Sequence, residues 1–125
     1  MFENATSFAV LPASDLARAR AFWHDACGLD PVDEEPQAGV LSYEVGGSKV
    51  LVYETQFAGT AQNTAFGIDT DDLDRDMAAL RSAGVEFNDY ELPGVSTVDG
   101  VVEMEGMRTA WFNDSEGNII ALSQS

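Results

Sequence analysis

The stretch Trp111–Leu122, WFNDSEGNIIAL, decides the fold. Apolar runs flank a polar, glycine-containing centre, which reads as a strand, a tight turn and a second strand. Successive side chains of a strand point to opposite faces, so Ile120 and Leu122 share one face and Ile119, Ala121 and Ser123 share the other. Upstream, VEFNDYEL (Val85–Leu92) and VVEME (Val101–Glu105) read as further strands, joined by the Gly-containing link Leu92–Gly100.

Before these strands lies a helix, and the helix belongs to a repeat. SFAVLPASDLARARAFW (Ser7–Trp23) parallels TAFGIDTDDLDRDMAAL (Thr64–Leu80) at a separation of 57 residues, which aligns Asp15-Leu16 with Asp72-Leu73 and Arg18 with Arg75. Each copy is a short apolar strand, a cap and a helix. Ser14 or Asp15 caps the first helix and Asp71 or Asp72 the second, with acids near the positive helix end. Leu16, Ala19, Phe22, Ala26 and Cys27 recur at helical spacing in the first, and Leu73, Met77 and Leu80 in the second. Gly28 and Gly84 suit left-handed C-caps. DPVDEE, VLSYEV and KVLVYET follow the first helix, with Gly46-Gly47 as a hairpin turn. Each half therefore reads β-α-β-β-β. The prediction is an α+β fold: one domain over 1–125, built of modules 1–60 and 61–125. Its strands form a curved mixed sheet around a cavity, and its helices lie on the outer face.

The chain's 125 residues suit one domain. Six basic residues face 22 acidic ones, for a formal net charge of −16. Such a surface repels phosphate backbones and anionic lipid, which argues against nucleic-acid and membrane partners, and it attracts cations at long range. No apolar run approaches the roughly 20 residues of a membrane span, and the N-terminal MFENATSF lacks the pattern of a signal peptide. With the single cysteine Cys27, no intrachain disulfide is possible, and a cytoplasmic location is expected.

Three segments together resemble the vicinal oxygen chelate superfamily of glyoxalase I, extradiol dioxygenases, and fosfomycin and bleomycin resistance proteins. They are LPASDLARARAFWHDACGLDPV (Leu11–Val32), DDLDRDMAALRSAGVEF (Asp71–Phe87) and AWFNDSEGNIIAL (Ala110–Leu122). The resemblance implies a metal site built from inward-facing His and carboxylate groups. Here those positions fall at Phe8, at Asn63 or Ala65, and at Ala121, with Leu51 the first-module counterpart of Ala121. A divalent transition metal needs several N, O or S donors, so no metal and no cofactor is expected. His24, the only histidine, is placed on the first helix, away from the cavity.

With donors missing, the expected cavity lining is Phe8, Val10, Leu51, Tyr53, Asn63, Thr109, Trp111 and Ala121, joined by Ile119 and Asn113. Glu103 and Glu105, expected to share a sheet face, and Tyr53 are the candidate acids or bases; two carboxylates near aromatics would also suit a cation. The reading is a small-molecule binding protein of the bleomycin-resistance kind, whose acidity and aromatic lining would suit a cationic ligand. The alternative is a glyoxalase-like lyase or isomerase, or a dioxygenase-type enzyme, with a non-standard site. The resemblance also implies a homodimer.

Overall fold

Each helix starts at an aspartate. Asp15 caps α1 (Leu16–Cys27) by accepting from the Arg18 amide, and Asp72 caps α2 (Leu73–Ser82) by accepting from the Arg75 amide. The repeat is thus a repeat of caps as well as of residues. The computed structural model describes residues 1–125. In the first module, β1 (Phe8–Ala13) leads into α1, followed by β2 (Asp33–Glu35), a 3-10 turn, β3 (Val40–Val45) and β4 (Ser48–Glu54). The second has β5 (Thr64–Asp69), α2, the two-residue strands β6 (Glu91–Leu92) and β7 (Val95–Ser96), β8 (Val101–Met104), β9 (Met107–Asn113) and β10 (Ile119–Gln124).

The modules have one topology. The sheets run β1-β4-β3-β2 and β5-β10-β9-β8, and in each the first strand pairs parallel with the last while the remaining pairs are antiparallel. The expected α+β fold of two β-α-β-β-β modules is present: each module contributes a four-stranded mixed sheet, neither of them closed, and β6 and β7 pair separately. Beneath the helices one apolar cluster joins both modules: Leu11, Trp23, Tyr43, Leu73, Phe112 and Ile120 are among its buried members. Trp23 lies outside the apolar stripe read from the sequence, yet it is buried, packing against Phe22 and Tyr43.

The NDSEGN turn clips the modules together. Gly117 (φ 83°) passes so close to Gly59 that an added Cβ would lie 2.9 Å from the Gly59 Cα, which leaves room for no side chain. Glu116 takes the amides of Ser14 and Asp15 and a two-pronged contact from Arg18 (Nε to Oε2, 2.7 Å; Nη2 to Oε1, 2.9 Å). Asn118 donates to the Pro12 carbonyl across the module boundary. Asp114 accepts the Glu116 and Asn118 amides; burial pushes its carboxyl up against the pull of these bonds.

Val85–Leu92 is not the strand expected. Phe87 forms a single antiparallel bridge to Phe112, because β8 already occupies the adjoining stretch of that β9 edge from Ala110. The link that follows is tied down. Asp89 accepts from Thr97 and from the Gly100 amide, and Arg81 donates to the Asp99 carbonyl.

Candidate functional site

Ala110, Phe112, Ile120 and Leu122 are buried in the core, so their neighbours in β9 and β10 form the opposite, open face of the second sheet. The register sets those neighbours in rows across β9, β10 and β5. One row is Trp111, Ala121, Gly67; the next is Thr109, Ser123, Asp69. The first row falls from a large ring to a methyl to no side chain. A Cβ built at Gly67 meets nothing within 4 Å. In the first sheet the corresponding row is Ser42, Leu51, Val10. The two modules therefore share a floor plan but not a floor: the first is filled at the places where the second is hollow.

Trp111 is braced on its far side. The Asn88 amide donates to the Trp111 carbonyl, and the Tyr90 ring meets the indole edge-on at 5.4 Å and 89°. The Asn88 side-chain amide donates to Asn113 Oδ1 at 2.8 Å and to the Tyr90 hydroxyl at 3.3 Å. Thr109 and Ser123 hydroxyls are bonded at 2.9 Å. Beside the indole, Val102, Met104, Glu105, Met107 and Thr109 join Trp111 around a hollow of about 260 Å³.

The sequence candidates divide between the sheets. Thr109, Trp111 and Ala121 come together on the second. Phe8, Val10, Leu51 and Tyr53 lie on the open face of the first, where Phe8, Val10 and Tyr53 are exposed and Lys49 Nζ sits 5.4 Å from the Phe8 ring centre. The hollow over Trp111 is lined by second-module residues alone. Asn63 precedes β5, is exposed, and bonds to the neighbouring Thr64 carbonyl.

The expectation that Glu103 and Glu105 share a face is corrected. Glu103 pairs across the strand with Arg108, which faces Asp74 of α2, and so lies on the helix side. Glu105 has left the strand for the turn at φ 52°, followed by Gly106 at φ 80°. This turn matches Gly46-Gly47 of the first module (φ 55° and 84°), with a glutamate where that turn has glycine.

The positions that the resemblance assigns to metal ligands do not fit a metal. Phe8, Leu51, Ala65 and Ala121 offer no donor, Asn63 offers one carboxamide oxygen, and the partner of Ala121 on β5 is Gly67. No group of three or more His, Cys, Asp or Glu side chains is placed to hold an ion. His24 is exposed on α1, its Nδ1 2.8 Å from Asp30. Cys27 is half-buried; burial, with Asp114 adding, pushes its thiol up to about 12, so it carries no charge at neutral pH.

Asp69, Asn88, Tyr90, Met104 and Met107 join the site without having been expected there. Alternation along DYEL and VVEME is blind to where a loop folds back. Asp69 reaches the floor through a parallel pairing that follows an irregularity between Ile119 and Ile120.

The model of the Glyoxalase/Bleomycin resistance protein/Dioxygenase superfamily matches residues 6–122, and the chain belongs to that superfamily. Among solved structures it is similar to UcmS2 (16% identity, TM-score 0.76, covering 95% of this chain and 96% of that one). It is also similar to the fosfomycin resistance protein FosX of Listeria monocytogenes (13%, 0.72, 97% and 93%) and to a lactoylglutathione lyase of Agrobacterium tumefaciens (18%, 0.72, 97% and 93%). No curated protein sequence matches it. Identities this low establish the vicinal oxygen chelate fold alone.

Proposed function

We propose that this protein binds a small organic molecule, without a metal, on the open face of its second sheet. The observation that carries this reading is the row Trp111, Ala121, Gly67, an aromatic wall beside an empty floor at the position where the first module has Leu51 and Val10. Concave sites with an aromatic lining and a few directed polar groups are what small ligands use. The polar groups here are the Thr109–Ser123 hydroxyl pair and the Asn88–Asn113 amide pair. The chemistry of the assigned ligand positions, where only the Asn63 carboxamide oxygen has a lone pair to give, supports metal independence. Turnover of a lyase or isomerase kind needs an acid–base pair on one face; Glu103 is on the helix side, Tyr53 belongs to the other sheet, and Glu105 is the one candidate of the three beside the hollow.

A homodimer accords with this reading. Phe8, Val10, Tyr53, Met104 and Met107 are exposed on or beside the open faces, and a second copy would cover them. No helix is long and apolar enough to cross a membrane, and a cytoplasmic location accords with the lone thiol.

The test is a thermal-shift screen of a small-molecule library in excess chelator, with hits followed by calorimetry. Binding at one site per chain, unchanged by chelator and lost in Trp111→Ala, is the expected result. Binding that needs an added divalent metal would overturn the reading.

A further inference from the structure

The second sheet's open face has more order than a bare hollow requires, and that order names a ligand class. We infer that it takes an arylalkylamine, with the ring on the Trp111–Ala121–Gly67 row and the ammonium at Asp69. This rests on the small-molecule reading above and narrows it.

The ring's place follows from size. Ala121 lies directly beside Trp111, and Gly67 directly beside Ala121, so the floor steps down away from the indole over two strand spacings, about 10 Å. Tyr90 braces the indole from the segment that bonds to β9 on the edge away from β10, which leaves the indole free toward Ala121. A flat ring laid on Ala121 and Gly67 meets the indole at its side and backbone beneath it.

The amine's place follows from the next row. Thr109, Ser123 and Asp69 lie one row along the strands, two residues or about 7 Å from the shelf. The Thr109 and Ser123 hydroxyls are bonded to each other, so one of the two oxygens keeps its proton free for other use and both keep acceptor lone pairs. Asp69 is exposed and takes part in none of the chain's ion pairs; those of the second module involve Asp71, Asp74, Asp76, Glu103 and Glu116. A carboxylate and two hydroxyls in a row present acceptors to a group that has only protons to donate, which an ammonium does. The corresponding row of the first sheet, Val40, Tyr53 and Pro12, has no carboxylate. The net charge of −16 draws cations toward the whole surface, and Asp69 gives that attraction an address. The ligand is thus a planar ring with a basic nitrogen on an arm of about two carbons.

Calorimetry at low salt on the full chain with tryptamine, 3-methylindole and indole-3-acetate tests this, since the three share a ring and differ in charge. The expected order is tryptamine tightest, then 3-methylindole, with indole-3-acetate weakest. Asp69→Asn should weaken tryptamine at least tenfold and leave 3-methylindole unchanged. Glu103→Gln removes the same charge from the opposite sheet face and should leave tryptamine unchanged. If D69N and E103Q weaken tryptamine equally, only bulk charge is at work and the inference fails. If 3-methylindole binds as tightly as tryptamine and W111A abolishes both, the inference fails while the small-molecule reading stands. If none of the three binds, the inference fails, and the library screen alone decides the broader reading.

Discussion

Glu116 carries a carboxylate whose side chain is only 1% exposed, in a chain whose acids, Asp114 apart, crowd the surface. Burial raises its pKa, but the bonds from Arg18, Ser115 and the Asp15 and Ser14 amides outweigh burial and bring it down to about 2. An acid whose folded pKa is depressed contributes stability above its unfolded value, near 4.3, and that contribution is lost as pH falls toward the folded value. Glu116→Gln should therefore cost about 2–3 kcal/mol at pH 7 by urea denaturation. The gap between variant and wild type should shrink steadily from pH 5 and be nearly gone at pH 2. A gap of constant size across that range would mean that the ion pair with Arg18 contributes nothing. Gly67 is the opposite kind of residue, with open space where a side chain would be. Gly67→Val should stabilise the strand by roughly 0.5–1 kcal/mol, since glycine weakens strand interiors, yet reduce ligand binding more than tenfold. A variant that melts higher and binds unchanged would show that the shelf is unused.

The turn between β8 and β9 repeats the turn between β3 and β4, but with Glu105 in the left-handed region where the first has Gly46. Left-handed backbone costs a side-chain-bearing residue of order 1 kcal/mol, so Glu105→Gly should raise stability by about that amount in thermal melts. The Glu105 turn was not legible in the sequence, whereas the β3–β4 turn and the helix ends were. Local chemistry specifies them: Asp15 and Asp72 as caps, Gly28 in the left-handed C-cap, Gly46-Gly47 between two alternating strands. What could not be read depends on residues far apart. Phe87 forms one bridge because β8 has taken most of the β9 edge, and Glu103 faces α2 because of its register with Arg108. For the site, alternation was enough to find Thr109, Trp111 and Ala121. Carried one step beyond Gly67 in TAFGID it also reaches Asp69; what it could not supply is the parallel pairing that sets Asp69 beside Ser123.

At the scale of the molecule, two modules of one topology share a core under their helices and differ on their open faces. Topology is repeated because both halves need the same strand–helix packing; the floors are free to diverge because neither packs in the core. The charge is also a property of the whole. With 22 acids against six bases, self-repulsion opposes the compact state, so adding 0.5 M sodium chloride should raise the melting temperature, where a charge-balanced domain would move little. On the proposed reading a scaffold associated with chelation binds its ligand without a metal, on a shelf of Trp111, Ala121 and Gly67. Native mass spectrometry of the protein purified from its own host, before and after chelator treatment, tests it most directly. The expected result is a co-purifying organic molecule, one per chain, whose mass peak survives the chelator and disappears in Trp111→Ala. One equivalent of zinc, iron, nickel or manganese per chain, with the organic molecule leaving when the metal is stripped, would contradict it.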